Sequence, residues 1–220
     1  DKISNLPIPI KIAFLNQKGS FVKFSLNKSK LKYEHVYLLS KSNDKVSIIC
    51  NKKDITPSLM RDFSAPVLLK TDIKIDEYIH ILKFDNDSFN KWDAAQNLYI
   101  KCFLKKLNLN ILIKTLRELI LEKKVNHSLM ALLLELPSRN TFENLSNDVD
   151  PISIFKRKKD FMKKIAFGLQ EVFEINALKL YKSKIQDDKS FGERLLLEKI
   201  LKYLILIESS IGIQIAKKIT

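Results

Sequence analysis

The spacing of the apolar residues changes once along this chain, between residues 68 and 75. Before the change, apolar residues alternate with others, as at residues 8–14, and a period of two is typical of a strand with one buried face. After the change, apolar residues recur at steps of three and four, the period of an amphipathic helix. The pattern predicts an all-β domain at residues 1–70 and an all-α domain at residues 73–220.

The β part is predicted to contain short antiparallel strands spaced by about ten residues, which is typical of an Ig-like β-sandwich. The segment from Asn16 to Gly19 predicts a turn between the first two strands, because glycine can adopt a positive φ. The strands are few for a sandwich, so we expect the domain to be incomplete at its start. The predicted strands lie at residues 8–14, 20–27, 33–39 and 46–50.

The α part is predicted to be a stacked helical array (an α-superhelix), because its helices follow one another through short connections. The clearest helix start is Asp150-Pro151, where an N-cap acceptor precedes a proline at the first helical position. The predicted helices lie at residues 76–84, 87–103, 111–124, 126–136, 152–182, 188–208 and 210–218. The predicted buried faces are Phe89, Trp92, Gln96, Tyr99 and Phe103 in the second helix, and Phe155, Met162, Ile165 and Leu169 in the helix from residue 152.

The formal net charge of +14 raises the question of a nucleic-acid or membrane partner. Only five of the 39 basic residues are arginines, and arginine is the residue that binds phosphates and bases bidentately. The basic run at residues 156–159 lies opposite the predicted buried face of its helix. We therefore interpret the charge as a solvated surface, and we do not expect nucleic acid as a partner.

No catalytic, cofactor-binding or metal-binding residues are predicted in this chain. None of the histidines, His35, His80 and His127, has a second ligand at metal-site spacing, and HExxH is absent from the sequence. Cys50 and Cys102 lie in apolar patterns that predict small core residues. The chain has four glycines and no glycine-rich phosphate loop.

The sequence also bears on the compartment. No apolar run reaches the roughly 18 residues that a membrane helix needs, and no secretory signal pattern is visible. Two cysteines far apart in sequence are typical of a reducing compartment. We therefore expect a cytoplasmic protein with no membrane association.

The segment TPSLMRDFSAPV places Arg61 and Asp62 between Pro57 and Pro66, at the end of the β part. A guanidinium at a domain junction can bond backbone carbonyls that no strand or helix satisfies, and a carboxylate can cap or pair nearby. We therefore expect Arg61 and Asp62 to fix the junction, while the two prolines stiffen its backbone.

Two motifs carry a resemblance to a known family. Residues 57–67, PSLMRDFSAPV, resemble the P-S-L-x-R-x-F-S-A-P-V signature of aminopeptidase N, a family of zinc-dependent gluzincin aminopeptidases, in its bacterial and apicomplexan branch. Residues 87–96, DSFNKWDAAQ, are similar to its D-x-F-x-R-W-D-A-A-Q segment, with Lys91 where arginine is usual. The junction residues that we select from these motifs are Pro57, Arg61, Asp62, Phe63, Pro66, Trp92, Asp93 and Gln96.

The resemblance implies a C-terminal fragment, which holds the β-sandwich domain and the first part of the helical domain. The zinc ligands, the general-base glutamate, the GAMEN exopeptidase loop and the transition-state tyrosine of the family would precede residue 1. The implied partners are the catalytic domain of the same polypeptide and, through the full-length zinc enzyme, peptide substrates. The 220-residue chain is predicted to be inactive alone.

Two alternatives remain open from the sequence. The chain could be a stand-alone basic scaffold that binds protein or RNA. It could also complement a catalytic half that is encoded separately.

Overall fold

The computed structural model describes residues 6–122, 125–143, 150–182 and 191–219. Antiparallel strands come first and helices follow, so the predicted fold class, an Ig-like sandwich followed by a helical array, is confirmed. The chain divides into two compact units, Asp1–Ala95 and Gln96–Thr220. The first unit therefore contains, besides the strands, a complete helix and the start of a second one.

The sandwich consists of two small sheets. In the first, β1 (Ile8–Leu15) lies between β3 (Glu34–Leu39) and β5 (Thr56–Leu59), and all neighbours are antiparallel. In the second, β2 (Phe24–Leu26) pairs with β4 (Ile48–Cys50). The buried core comprises Ile12, Phe14, Val22, Phe24 and Leu26.

β5 is a strand that the periodicity did not reveal, because Pro57 lies inside it and proline cannot donate to a sheet ladder. The strand order explains why proline is tolerated there. β5 is at the edge of its sheet, where Pro57 lies opposite Phe14 of the central strand.

Helix α1 (Ile75–Phe84) packs against the turn between the first two strands. The Nε2 of His80 lies 2.8 Å from the carbonyl oxygen of Asn16. Gly19, with φ of 79°, leaves space for the ring of Phe84, which a Cβ at residue 19 would overlap. The positive φ predicted for Gly19 is therefore present. The absence of a side chain at Gly19 also allows α1 to pack closely against the turn.

The second unit contains the end of α2 (Ser88–Phe103) and the helices that follow. Two buried tyrosines donate to consecutive carbonyls at the end of the fourth helix: the hydroxyl of Tyr99 donates to Leu133 at 2.8 Å, and that of Tyr203 donates to Leu134 at 2.7 Å. The helices are α3 (Leu109–Glu122), α4 (His127–Leu133), α5 (Arg139–Glu143), α6 (Pro151–Lys182), α7 (Phe191–Leu206) and α8 (Ser210–Ile219).

Each of the two predicted buried faces is wrong at one aromatic residue, whereas Tyr99, Phe103, Ile165 and Leu169 are buried as predicted. Trp92 is 37% exposed, whereas the polar residues Asn90 and Lys91 are buried at the start of the same helix. Phe155 is 59% exposed, and its neighbour Ile154 is buried instead. In α2 the cause is the buried polar side chains, since an analysis of apolar spacing counts such positions as exposed.

Candidate functional site

Arg61 is the centre of the candidate site, and it is only 4% exposed. Its guanidinium donates from Nε to Glu34 at 2.7 Å and from Nη2 to the side chain of Asn86 at 2.5 Å. Its Nη1 donates to Ser58 at 2.8 Å and to Asp85 at 2.7 Å. These partners come from β3, β5 and the loop between α1 and α2. One side chain therefore joins both edge strands of the first sheet to the end of α1.

The partners of Arg61 correct the expectation from the sequence. They are side-chain oxygens, not the backbone carbonyls that we expected. Burial is the largest single influence on the pKa of Arg61 and lowers it, but the carboxylates of Asp85 and Glu34 outweigh burial and raise the pKa. Arg61 therefore remains a cation, and two carboxylates balance its charge.

The backbone around Arg61 is left-handed, which non-glycine residues rarely adopt. Met60, Asp62 and Phe63 have φ values of 57°, 54° and 52°. The backbone N–H of Asp62 donates to Oδ2 of Asp87 at 2.9 Å, and the Asp62 carboxylate bonds the Nζ of Lys11. Such a conformation persists only where its surroundings hold it. Here the bonds to Lys11 and Asp87 hold the turn.

Two aspartates organise the loop between α1 and α2. Oδ1 of Asp85 accepts from the backbone N–H of Asp87 at 2.9 Å, and Oδ1 of Asp87 accepts from the backbone N–H of Asn90 at 2.8 Å. Asp87 therefore caps α2, which agrees with the start predicted at residue 87. Burial, and the nearby carboxylate of Asp62, raise the pKa of Asp87 even though backbone N–H groups bond it.

Lys91 occupies the position at which the D-x-F-x-R-W-D-A-A-Q segment has arginine, and it bonds the end of α1. Its Nζ is buried and donates to the carbonyl oxygens of Leu82 at 2.7 Å and Lys83 at 3.1 Å. These carbonyls belong to the last turn of α1, where intrahelical donors run out. Lys91 therefore ties the end of α1 to the start of α2.

An aromatic ledge, which we define as Phe63, Phe89 and Trp92, borders the cluster. The ring centroids of Phe63 and Phe89 are 5.1 Å apart, and those of Phe89 and Trp92 are 5.9 Å apart. Phe63 is 54% exposed, although large apolar side chains are usually buried. An open cleft of about 630 Å³ lies beside this ledge. It is lined by Phe63 and Phe89 of the ledge and by Arg61 with its partners Glu34 and Asn86, which we call the Arg61 cluster together with Ser58 and Asp85.

The remaining selected junction residues are dispersed. Pro57 lies in β5, Pro66 is exposed in the following loop, and Asp93 is half-buried in α2. Gln96 belongs to the second unit, where its Nε2 donates to the carbonyl oxygen of Glu135 at 2.9 Å. The structure thus brings Arg61, Asp62 and Phe63 together, and the sequence did not reveal Glu34, Ser58, Asp85 and Asn86 as their partners.

Metal ligands and thiols are the remaining groups in the described residues on which chemistry would depend. These residues contain no group of three or more His, Cys, Asp and Glu side chains placed to hold a metal ion. Burial raises the pKa of the Cys102 thiol to about 12, so this sulfur stays protonated at neutral pH. Among the helices in the described ranges, none has both the length and the apolar composition needed to cross a bilayer.

Family models cover nearly the whole chain. Residues 1–72 match a domain of unknown function, DUF3458, described as an Ig-like fold, and residues 75–219 match its partner model, DUF3458_C, described as ARM repeats. The chain belongs to the DUF3458 family. The two matches divide the DUF3458 chain between residues 72 and 75, where the apolar spacing changes from strand to helix.

Relatives of the DUF3458 chain include two aminopeptidases N. The Escherichia coli (strain K12) protein is 28% identical over 142 residues, 60% of this chain and 16% of that protein. The Haemophilus influenzae protein (strain ATCC 51907 / DSM 11121 / KW20 / Rd) is 28% identical over 183 residues, 77% of this chain and 20% of that protein. The predicted resemblance to aminopeptidase N is confirmed. The chain spans a fifth or less of these relatives.

The fold has a counterpart among solved structures. A crystal structure of Legionella pneumophila aminopeptidase A in complex with aspartic acid superposes with a TM-score of 0.78 at 20% sequence identity. The match covers 94% of the DUF3458 chain and 25% of the Legionella pneumophila chain. At this identity the match shows a common fold.

Proposed function

We propose that this DUF3458 chain is the non-catalytic, C-terminal portion of a cytoplasmic zinc-dependent aminopeptidase, which removes N-terminal residues from peptides. The similarity to two aminopeptidases N carries the proposal. In this role the chain buttresses the catalytic domain of the same polypeptide and helps to enclose its substrate cavity. The proposed domains are the sandwich at residues 1–70 and the helical part at residues 73–220.

The Arg61 cluster supports an architectural role. A buried cation with two carboxylates and two neutral acceptors keeps the left-handed turn, β3 and the end of α1 in one arrangement. Rigid supporting elements are what a catalytic domain requires of a buttress. We therefore propose Pro57, Arg61, Asp62, Phe63, Pro66, Trp92, Asp93 and Gln96 as structural junction residues.

Zinc does not fit the residues present in the described chain. A catalytic zinc site takes three protein ligands, and the described residues bring no such set together. In this proposal the metal belongs to the catalytic domain, which would hold its own ligands.

The aromatic ledge is the surface that we assign to the contact with the catalytic domain. Phe63 has a left-handed backbone conformation and an exposed ring. This ring packs against the ring of Phe89, which in turn packs against Trp92. Exposed apolar surface of this kind is typical of an interface. We assign the contact to the same polypeptide because the relatives are several times longer than this chain.

The test begins with the coding region upstream of Asp1, where we expect an in-frame HExxH followed by a downstream glutamate. In the complete polypeptide, Trp92→Ser should lower the melting temperature or the alanyl-aminopeptidase activity. The same change should lower the melting temperature of the 220-residue chain less than that of the complete polypeptide, because the chain alone loses only the packing of Trp92 against Phe89. Ile152→Ser, at an exposed apolar residue of α6, is the matched control.

Two results would overturn the proposal. One is cleavage of an alanyl chromogenic substrate by the 220-residue chain alone, abolished by a chelator. The other is an upstream region that encodes no zinc motif, together with salt-sensitive retention of RNA by the chain, which would favour the basic scaffold.

A further inference from the structure

The second unit contains a cleft that the proposed function does not use. It has a volume of about 650 Å³ and lies between the loop at residues 104–108 and helix α6. We call this cavity the basic cleft. The charged residues that line it are Lys105, Lys106, Arg157, Asp160 and Lys164. Its volume is within the range of sites for small molecules, which is about 300–1,000 Å³.

The charges of the basic cleft do not balance. Four cations and one carboxylate line it, leaving an excess of three positive charges. In the described ranges, none of the four cations forms an ion pair with a carboxylate. Like charges that converge on a concave surface repel one another, and a bound anion would relieve that repulsion.

Contacts with the surrounding structure hold the side chain of Arg157 and the backbone at Lys106. The guanidinium of Arg157 lies 4.5 Å from the ring centroid of Phe103, which is buried against Phe142 at 4.2 Å. Across the cleft, the backbone N–H of Lys106 donates to the carbonyl oxygen of Lys101 at 2.8 Å, and Leu107 is buried. Stacking on an aromatic ring orients the arginine fork before a ligand arrives.

We propose that the basic cleft binds a ligand carrying two or more linked phosphate groups, either free diphosphate or the diphosphate of a nucleotide. A phosphate group carries between one and two negative charges near neutral pH, so two linked groups match the excess of about three. An arginine fork recognises phosphate bidentately, and lysines add point charges. A single carboxylate ligand would leave most of the excess uncompensated.

Calorimetric titration of the 220-residue chain with inorganic phosphate, diphosphate and ADP tests the proposal. We expect diphosphate to bind at least about ten-fold more tightly than phosphate, a difference of about 1.4 kcal/mol, since its second phosphate group reaches further cations of the cleft. Equal affinities for diphosphate and ADP would identify the free anion as the ligand, and tighter binding of ADP would identify a nucleotide. Both results support the site.

Variants locate the binding. Arg157→Gln and Lys164→Gln should each weaken diphosphate binding by about five- to ten-fold. Lys159→Gln, at an exposed lysine of α6, should change it by less than about two-fold, because Lys159 does not line the cleft and salt screens a charge that does not contact the bound anion. Asp160→Asn should tighten binding, whereas Asp72→Asn, at an exposed residue of the first unit, should not. All five positions are exposed, so we expect unchanged melting curves except for Arg157→Gln, which also loses the contact with the ring of Phe103.

Three outcomes overturn the proposal: no diphosphate binding at millimolar concentration, equal weakening by Lys159→Gln and Lys164→Gln, or RNA binding that diphosphate does not displace. The second would mean a general effect of net charge, and the third a nucleic-acid surface. None of these outcomes bears on the upstream zinc motif, so the site and the proposed aminopeptidase function fail independently.

Discussion

Nη1 of Arg61 lies 2.7 Å from Oδ1 of Asp85, and the two side chains are 24 residues apart in sequence and both buried. Removing two charges from water is costly, and their attraction offsets that cost only where further hydrogen bonds complete the geometry. Arg61 meets this condition through Glu34, Ser58 and Asn86. The pair is therefore sensitive to the loss of either partner.

Asp85→Asn should lower the unfolding free energy by about 3 kcal/mol, because it leaves a buried guanidinium without its most buried carboxylate. Urea denaturation of the 220-residue chain measures the change. Lys202→Gln, which removes an exposed ion pair with Glu198, is the control and should cost less than about 0.5 kcal/mol. A loss below about 1 kcal/mol for Asp85→Asn would contradict the importance of this pair.

Lys91→Met should destabilise the chain by about 2 kcal/mol, since the carbonyls of Leu82 and Lys83 would lose a buried donor while the apolar stem is kept. The same urea experiment measures the effect. Lys159→Met, at an exposed position of α6, should be nearly neutral. If both variants unfold at the same denaturant concentration, Lys91 does not stabilise the end of α1.

The stability should depend on pH through Glu34. Burial is the largest influence on its pKa and raises it, but hydrogen bonds from Lys11 and Arg61 together outweigh burial, so its pKa lies below the ordinary 4.5. A depressed carboxylate pKa contributes stability above the unfolded-state pKa, and this stability is lost as the pH falls through the folded-state pKa. Between about pH 5 and pH 3, the unfolding free energy of Glu34→Gln should therefore fall less steeply than that of the wild type. Parallel curves would refute this linkage.

Cys102 should resist alkylation. With a pKa of about 12, about one thiol in ten thousand is ionised at pH 8. In Cys50→Ser, iodoacetamide at pH 8 should leave the native protein unlabelled, and in urea it should label one site. Rapid labelling of native Cys50→Ser would show that this part of the second unit opens readily.

The sequence predicted the order of strands and helices well because both periodicities are regular along this chain. It located Arg61, since a charged residue between apolar neighbours and prolines is conspicuous. It could not supply Glu34, Asp85 and Asn86, because partners from separate elements share no local pattern. Trp92 was wrongly assigned to the buried face, and the burial of Lys91 was not predicted, because a buried lysine and an exposed tryptophan exchange the sides that polarity assigns to them.

The packing of α1 against the turn at Asn16 and Gly19 affects how the chain can be divided. The family models change between residues 72 and 75, and a cut there would expose Tyr78, Ile81 and Leu82 and would separate Arg61 from Asp85. A cut after Ala95, where the compact units divide, would instead sever α2 in mid-helix. Neither half is thus a natural unit for separate expression, and a swap of the sandwich between homologues would need to carry α1 and the first turns of α2 with it.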